Sequence, residues 1–308
     1  MAGFVTQVTT GAPIEVARSE HDVPRLQAAT PIEGGTLAGL EPAGAPEPGF
    51  AAFLDGTQES RVIARWEAGL PLVHGTAAAV VRVRRDRRLA TWRGPPRISR
   101  ALYLPFRLAG DARVEALRMA GLVVFDTDSP AADTAVRHPL ELTGLARTAV
   151  QRQRELLETG LAEAWCESER GPLFVDGGLS AMGAAARSPL AVGVVKSHRT
   201  LYAADRGVAV VTGLAAGART TAFEIHSPRR TAVASWYLRL RDAAGHDPFF
   251  GLVRVEVARE VFTPAHADLV SRWILAERVP VALPDVRWST MAYGVRDCEE
   301  YLRAVVAG

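Results

Sequence analysis

Short apolar runs that end on charged or small residues recur along the chain, and they predict a sheet whose strands are connected by helices. The runs are rich in β-branched and aromatic residues, as the strands of a partly buried sheet are. They cover residues 50–55, 77–84, 100–107, 173–176, 192–196, 232–241 and 250–257. We expect the first three to form an antiparallel meander.

Apolar positions at helical spacing predict a long helix between residues 138 and 169. A core-facing stripe is predicted there by the spacing of Val150, Leu157, Leu161 and Trp165. On this helix Glu155 and Glu158 are three residues apart and share a neighbouring face.

Shorter helices are predicted at 111–120, at 264–278 and at the C-terminus. Pro280 and Pro284 follow the second of these and are expected to end it. The C-terminal helix carries Asp297, Glu299 and Glu300. Residues 207–213 fit either a further strand or the start of a helix.

Composition favours an N-terminal arm over residues 1–49, followed by one folded domain over residues 50–308. The arm is rich in Pro, Gly and Ala, and residues 41–49 form a break before the first strand. We expect the arm to contact a partner protein or a second subunit. The chain has 308 residues, 48% of them hydrophobic, which is enough to bury a large core.

Several function classes are excluded by features that the sequence lacks. No apolar run is long enough to cross a bilayer, and the first residues do not resemble a signal peptide, so we expect a cytoplasmic protein without membrane contact. Cys166 and Cys298 have no metal-type spacing and predict neither a zinc site nor a disulfide framework. No phosphate-binding loop of the Gly-x-x-x-x-Gly-Lys-Ser/Thr type occurs.

Carboxylates on three different elements are the candidate chemistry of this chain. Asp55 and Asp176 each follow an apolar strand and precede a glycine, and the long helix adds Glu155 or Glu158. An Asp-Gly pair by itself is a common turn sequence. The ordered set is more specific, because Mg²⁺ and Mn²⁺ prefer oxygen ligands, and two such ions about 4 Å apart promote attack of water on a phosphodiester.

Basic residues are concentrated in one region, although the formal net charge is only +2. Arg82 and Arg84 alternate along the strand at 77–84, which predicts an arginine-bearing face that contacts a phosphate backbone or protects an edge strand. Lys196 is the only lysine of the chain and stands at the end of a buried strand. Because the other basic residues counted with it are arginines, a lysine here indicates that this position needs a compact point charge and not a planar guanidinium group.

The order of these elements, a strand with Asp, two strands, a helix with Glu and a strand with Asp, is that of the ribonuclease H-like fold. The chain also resembles the NurA nucleases, which partner the hexameric DNA translocase HerA. The resemblance covers most of residues 50–308. It is carried by FLDGT at 53–57, by the Arg- and Glu-rich helix before LFVDGGL at 173–179, by GVVKS at 193–197, by VRVE at 253–256 and by MAY at 291–293.

This resemblance implies an α/β fold: a ribonuclease H-like mixed sheet flanked by helices, with extra strands and helices in the C-terminal half. It implies that Asp55, Glu155 and Asp176 bind Mn²⁺ or Mg²⁺, two ions per site, with Glu158 as the alternative to Glu155. Lys196 would neutralise the scissile phosphate, and Tyr293 would face the metals. The candidate DNA-binding residues are Arg61, Arg82, Arg84 and Lys196.

The activity that the resemblance implies is that of a metal-dependent DNA nuclease. It would act as a 5′-3′ exonuclease and a single-strand endonuclease that processes DNA ends in double-strand break repair. A HerA-type hexameric ATPase would be its partner and would consume the ATP. The nuclease would be a homodimer whose paired active sites face a narrow channel.

Two other interpretations remain open. LVVFDTD at 122–128 resembles the opening motif of haloacid dehalogenase-type phosphatases, in which Asp126 would attack phosphorus and Asp128 would act as acid and base. Pro130 departs from that motif. A non-enzymatic dimeric adaptor on a ring translocase is the other interpretation.

Overall fold

The computed structural model describes residues 7–8, 23–66, 69–86, 88–128, 138–228, 230–278 and 288–306. Within these ranges the chain forms one large mixed sheet with helices on both faces and a separate sheet of two short strands, which confirms the α/β prediction. No helix in these ranges has both the length and the apolarity that a membrane span requires. Pro130, Pro280 and Pro284 lie outside the described residues.

Short strands come first along the chain, and a long antiparallel meander follows them. The short strands are β1 (Gln7–Val8), β2 (Arg25–Gln27), β3 (Thr30–Pro31) and β4 (Gly39–Leu40). The next strands are β5 (Ala52–Arg65), β6 (Pro71–Arg85), β7 (Arg88–Thr91) and β8 (Arg97–Leu104). Since β5 pairs with β6 and β6 with β8, both antiparallel, the predicted meander is confirmed.

The middle of the chain contains the predicted helices and the strand that returns to the meander. Its elements are α1 (Phe106–Ala109), α2 (Asp111–Met119), β9 (Val124–Asp126), α3 (Pro139–Ser168) and β10 (Leu173–Asp176). Helix α3 begins after His138, whose side chain accepts a hydrogen bond from the Leu140 amide, and a proline follows at the first helical position. The predicted stripe is buried at Val150, Leu161 and Trp165.

The last part of the chain completes the sheet and adds the helices that cover its second face. Its elements are β11 (Ala191–Val195), β12 (Thr200–Tyr202), α4 (Arg206–Thr212), β13 (Arg219–Thr220), β14 (Phe223–Ile225), β15 (Val233–Arg239), β16 (Leu252–Ala258), α5 (Pro264–Glu277) and α6 (Tyr293–Val306). Of the two structures that residues 207–213 fit, the helix is the one that forms.

The sheet runs from one edge to the other in the order β3-β14-β15-β16-β11-β10-β5-β6-β8-β9. Strand β10 is parallel to both of its neighbours, β5 and β11, whereas β11 pairs antiparallel with β16. Successive side chains of a strand point to opposite faces. Leu54 and Val175 therefore pack with Trp165 of α3, while Phe53 and Phe174 pack with the α5 and α6 side.

Residues 23–49 lie against the sheet rather than projecting from it. Strand β2 pairs with β12, β3 with β14, and β4 with β13. Glu33 lies 2.7 Å from Arg219, which is almost fully buried and also pairs with Asp268 at 2.6 Å. A buried arginine with two carboxylate partners fixes this segment to the sheet. The predicted contact of the arm with a partner or a second subunit stays a prediction.

Candidate metal centre

Asp55 and Asp176 stand at corresponding positions of the parallel strands β5 and β10. Val175 lies opposite Leu54 in the register, so the aspartates that follow these two residues point to the same face of the sheet. That face is the one covered by α6. Asp55 is only 6% exposed, and the side chain of Asp176 is 18% exposed.

Glu299 of α6 completes a cluster with the two aspartates. One carboxylate oxygen from each of Asp55, Asp176 and Glu299 lies within 4.8 Å of the other two. The three acids come from positions far apart in the sequence and from three different elements. The fold therefore brings together three oxygen donors at one point.

Helix α6 is held in place by contacts to the strand that carries Asp55. The thiol of Cys298 donates a hydrogen bond to the carbonyl of Phe53 at 3.4 Å. Gly294 lies against the ring of Phe53, where a Cβ would overlap the ring. Arg82 of β6 forms an ion pair with Asp297 at 2.5 Å. These contacts flank Glu299 on its own helix and fix its position over β5.

Helix α3 brings Glu158 and Arg154 to the same region from the opposite face of the sheet. Glu158 is 5% exposed and pairs with Arg154 at 3.2 Å. Both side chains pass over Gly56, where a Cβ would overlap them. The glycine after Asp55 is thus needed for the close approach of α3 to the acidic cluster.

The structure distinguishes Glu155 from Glu158 by burial, although both line one cavity that also contains Asp176. Glu155 is exposed and accepts a hydrogen bond from Gln151 at 2.8 Å, one turn earlier on the helix. Glu158 is buried and faces the cluster. Tyr293, at the first position of α6, is 60% exposed and does not line the cavity around the cluster.

Lys196 follows β11 and contacts Asp176 directly. Its Nζ lies 2.9 Å from both carboxylate oxygens of Asp176. The prediction that this lysine ends a buried strand is confirmed, because β11 ends at Val195. The only lysine of the chain thus brings its charge to the predicted acid.

The arginines that the sequence suggested for DNA binding are engaged within the protein or lie at a distance from the cluster. Arg82 holds Asp297 and the ring of Tyr301. Arg84 pairs with the buried Glu277 at 2.8 Å. Arg61 is half exposed and pairs with Glu59. The guanidinium groups that do line the cavity belong to Arg154 and Arg303.

Burial and mutual repulsion disfavour the state in which all the acids at the centre carry a negative charge. Burial and the neighbouring Asp176 raise the pKa of Asp55 well above its usual range, although Lys196 and the Gly56 amide act in the opposite direction. Burial also raises the pKa of Glu158 to about 7, against the effect of Arg154. A bound cation would relieve this repulsion.

Two cavities meet at the cluster. The first has a volume of about 480 Å³ and is lined by all three clustered acids together with Arg154 and Arg303. The second, of about 590 Å³, lies on the α3 side and is lined by Glu158 and by Arg254 of β16. Both cavities include Asp176 and Arg154 in their walls. Asp176 therefore faces both cavities.

The donor set fits a hard divalent cation. All three clustered groups offer carboxylate oxygens, which Mg²⁺ and Mn²⁺ prefer, and neither free cysteine, Cys166 nor Cys298, is among them. The raised pKa of Asp55 gives a physical reason for a cation there. Asp55, Asp176 and Glu299 are the residues that would hold it.

Asp126 and Asp128 lie elsewhere and bind backbone amides. Asp126 accepts hydrogen bonds from the amides of Phe106 and Asp128 at 3.0 and 2.9 Å, and Asp128 accepts one from the Arg107 amide at 2.9 Å. Both acids thus bind the start of α1. Neither lines the two cavities at the cluster.

Fold and site together define a mixed α/β protein with a partly buried carboxylate cluster beside a polar cavity. No protein-family model matches the chain, and no curated protein matches it. Among solved structures it is similar to the crystal structure of the NurA nuclease from Sulfolobus solfataricus, with 10% identity and a TM-score of 0.42 over 87% of this chain and 86% of that chain. This degree of similarity assigns neither a family nor an activity.

Glu299 is the member of the cluster that the sequence did not single out. It stands among several acids of an amphipathic helix, where a solvated charge is the usual state. The available signal was its position beside the apolar stripe of Val295, Cys298 and Leu302, all of which are buried. An acid at the border of such a stripe lies close to the sheet on which the helix packs.

Proposed function

We propose that the protein is a divalent-metal-dependent nuclease that hydrolyses the phosphodiester bonds of DNA. The observation that carries the proposal is the convergence of Asp55, Asp176 and Glu299 within 4.8 Å, with the Lys196 ammonium group on Asp176. Three carboxylates beside cationic side chains form a site for a cation and for an anionic substrate together. When bound, the cation supplies positive charge to the scissile phosphate and acidity to a water molecule.

The chain's own residues bind and orient the substrate. Arg154, which pairs with Glu158, and Arg303, which pairs with Glu299, line the cavity of the cluster and can contact phosphates of the substrate. Lys196 forms an ion pair with Asp176 and is a cation available to the scissile phosphate itself. Glu158, with its pKa of about 7, can take up or release a proton near neutral pH.

The sequence resemblance supports a finer proposal. The fold is ribonuclease H-like, and the substrates are DNA ends and single strands, cut as a 5′-3′ exonuclease and a single-strand endonuclease during double-strand break repair. Mn²⁺ or Mg²⁺, two ions per site, is the cofactor. The active form is a homodimer that works with a HerA-type hexameric ATPase. Within this proposal, the acid contributed by α3 is Glu158, because Glu155 is exposed.

The direct test is degradation of linear DNA by the purified protein, with Mn²⁺ or with a chelator. We expect degradation only with the metal, and we expect Asp176→Asn to abolish it. Asp126→Asn is the matched control, because it removes a carboxylate that binds the amides of Phe106 and Asp128 and does not line the cavities at the cluster. If Asp176→Asn degrades DNA as the wild type does, the proposal is wrong.

The same variants test the phosphatase interpretation. If Asp126→Asn abolishes hydrolysis of a small phosphate monoester while Asp176→Asn retains it, the centre lies at Asp126 and the nuclease proposal fails. For the translocase partner, the test is whether a HerA-type ATPase and ATP accelerate degradation of duplex ends. The adaptor interpretation would be favoured if the protein stimulated the ATPase but never cleaved DNA itself.

A further inference from the structure

An ion pair between Arg254 and Glu256 of β16 borders the second cavity and has no part in the function proposed so far. Both residues are almost fully buried, with 9% and 2% of their surface exposed, and Nη1 of Arg254 donates to Glu256 at 2.5 Å. Removing two charges from water costs free energy that their attraction only partly offsets. Because such a pair adds little net stability, its position in a cavity wall favours a role in binding.

The guanidinium group of Arg254 uses only one of its three nitrogen atoms for hydrogen bonds within the protein. Its Nη1 donates to Glu256 and, at 3.5 Å, to the hydroxyl of Ser235. Nε is buried without a hydrogen-bond partner, and Nη2 has none among the described residues either. A buried donor without an acceptor is costly, so a ligand that accepts from this group would recover free energy.

Contacts on its other sides fix the orientation of Arg254. The guanidinium lies over the ring of Tyr202, 5.0 Å from the ring centre. Glu256 is itself held, because its Oε2 accepts a hydrogen bond from the amide of Leu179 at 2.7 Å. Leu179 belongs to the turn that follows Asp176, so one carboxylate holds both Arg254 and this turn. A guanidinium with a fixed orientation presents its remaining donors in a plane, which is the geometry that phosphate oxygens accept.

The charges around the second cavity are compatible with an anionic ligand. The acids that line it have partners within the protein, Glu155 with Gln151, Glu158 with Arg154, Asp176 with Lys196 and Glu256 with Arg254. Two exposed arginines of its wall, Arg152 and Arg230, form no ion pair with any residue that the structure describes. The wall also carries Ser180 and Ser227, whose hydroxyl groups are neutral donors.

Arg254 and Asp176 lie on opposite faces of the sheet. Asp176 is paired in the register with Val194, and Arg254 is paired with the next residue, Val195. Successive residues of a strand point to opposite faces. The cavity that Arg254 lines nevertheless includes Asp176 in its wall. A phosphate held by Arg254 is therefore a neighbour of the scissile phosphate and not the scissile phosphate itself.

We propose that Arg254, oriented by Glu256, binds a non-scissile phosphate of the DNA substrate and so determines which bond lies at the acidic cluster. Arg254 contacts the substrate, and Glu256 is a positioning residue that acts through Arg254. The inference rests on the proposed nuclease function and adds a contact that sets the position of the strand.

The first test measures binding of a fluorescent oligonucleotide with Ca²⁺ in place of the catalytic metal. Arg254→Lys keeps the charge that pairs with Glu256 but removes the planar group and its unused donors. We expect it to weaken the Kd about tenfold, as for loss of one hydrogen bond to a charged group. Arg259→Lys is the matched control and should leave the Kd unchanged, because Arg259 pairs with Glu224 at 2.8 Å and lines neither cavity at the cluster.

The second test locates the phosphate that Arg254 contacts. Oligonucleotides that each carry one uncharged methylphosphonate linkage are cleaved once with Mn²⁺, and the cut bonds are mapped. For the wild type, a methylphosphonate at one fixed distance from a bond should slow cutting of that bond about tenfold. In Arg254→Lys the same linkage should have no further effect, because its contact is already lost. Glu256→Gln should weaken the effect of that linkage and leave the other linkages as in the wild type.

Two results would overturn the inference, namely an unchanged Kd for Arg254→Lys and a linkage effect that persists in this variant. A lowered Tm of Arg254→Lys, with a loss of cleavage spread evenly over all linkages, would show a structural role and would overturn it too. A wild type that binds no oligonucleotide would have the same consequence.

The inference and the proposed function fail separately. If the wild type binds the oligonucleotide through Arg254 but never cleaves it with Mn²⁺, the nuclease proposal fails and the Arg254 contact stands. If the wild type cleaves DNA and Arg254→Lys has the same Kd and the same cleavage map, only the inference fails.

Discussion

The ammonium nitrogen of Lys196 lies 2.9 Å from each carboxylate oxygen of Asp176, so a side chain of the protein itself neutralises this acid. A cation bound by Asp176 must compete with that contact. The lysine then has two effects of opposite sign, since it weakens metal binding and, in our proposal, assists cleavage by contacting the scissile phosphate.

Replacing Lys196 with Gln should separate these effects. We expect Mn²⁺ to bind up to about fivefold more tightly, which corresponds to about 1 kcal/mol for a part-exposed ion pair. We expect cleavage of DNA at saturating Mn²⁺ to slow by roughly 10²–10³, as for loss of one preorganised charge at a phosphate. Calorimetric Mn²⁺ titration and single-turnover cleavage measure the two quantities. If Lys196→Gln binds Mn²⁺ more weakly than the wild type does, Lys196 does not compete with the metal for Asp176.

Asp55→Asn should stabilise the metal-free protein while it removes metal binding. Because the pKa of Asp55 is raised in the folded state, the native protein binds more protons than the unfolded chain between the usual and the raised pKa. The free energy of unfolding therefore falls as the pH rises through that window. Asparagine does not ionise, so the substitution removes this loss of stability. The loss amounts to about 1.4 kcal/mol for each unit by which folding raises the pKa of Asp55.

Thermal unfolding in a chelator, measured from pH 4 upward, checks this prediction. The Tm difference between Asp55→Asn and the wild type should grow with pH, and the variant should lose the Tm increase that Mn²⁺ gives the wild type. Asp126→Asn, at the end of β9, serves as the control and should change neither quantity. A variant that is less stable than the wild type at pH 8 would show that Asp55 is held by favourable contacts instead.

The two aspartates could be identified from sequence because each is encoded locally. A buried strand that ends in an acid and a glycine constrains its own conformation, and the predicted strand 173–176 is the strand that forms. The position of Glu299 depends instead on how α6 docks, through the thiol of Cys298 and the ring of Phe53, onto a strand about 245 residues earlier. The apolar stripe beside Glu299 indicates that it lies near a sheet, but a single sequence does not show which strand the helix packs on.

The choice between Glu155 and Glu158 shows the same limit on a smaller scale. The two residues are three apart, so helical periodicity places both near one face and does not rank them. The two residues are distinguished by a contact with Gly56, because Glu158 occupies the space that a side chain at that position would fill. This contact is set by the packing of α3 on β5.

The same holds for Arg82 and Arg84, whose alternation along β6 fits a DNA-binding face. In the structure Arg82 instead forms an ion pair with Asp297 of α6, and Arg84 forms one with Glu277.

Glu158→Gln and Glu155→Gln should therefore differ in effect. Glu158 is buried beside the cluster, so we expect its amide variant to reduce Mn²⁺-dependent cleavage by at least about tenfold, as for the loss of groups that support metal ligands. Its pH–rate profile should also lose the limb near pH 7 that the raised pKa of Glu158 predicts. Glu155→Gln, which removes an exposed acid, should leave cleavage within about twofold of the wild type. Equal effects of the two variants would contradict this assignment.

The pair Glu299 and Glu300 offers the sharpest test of the cluster, because adjacent residues of one helix have different surroundings. Both glutamates pair with an arginine of α6, Glu299 with Arg303 and Glu300 with Arg296, but only Glu299 also reaches Asp55 and Asp176. Glu299→Gln should weaken Mn²⁺ binding by roughly 10–100-fold and slow cleavage at subsaturating metal, because one of three carboxylate ligands loses its charge. Glu300→Gln carries the same chemical change and should leave both quantities unaltered. If Glu299→Gln binds Mn²⁺ as the wild type does, the third ligand comes from another element, and Glu158 becomes the candidate.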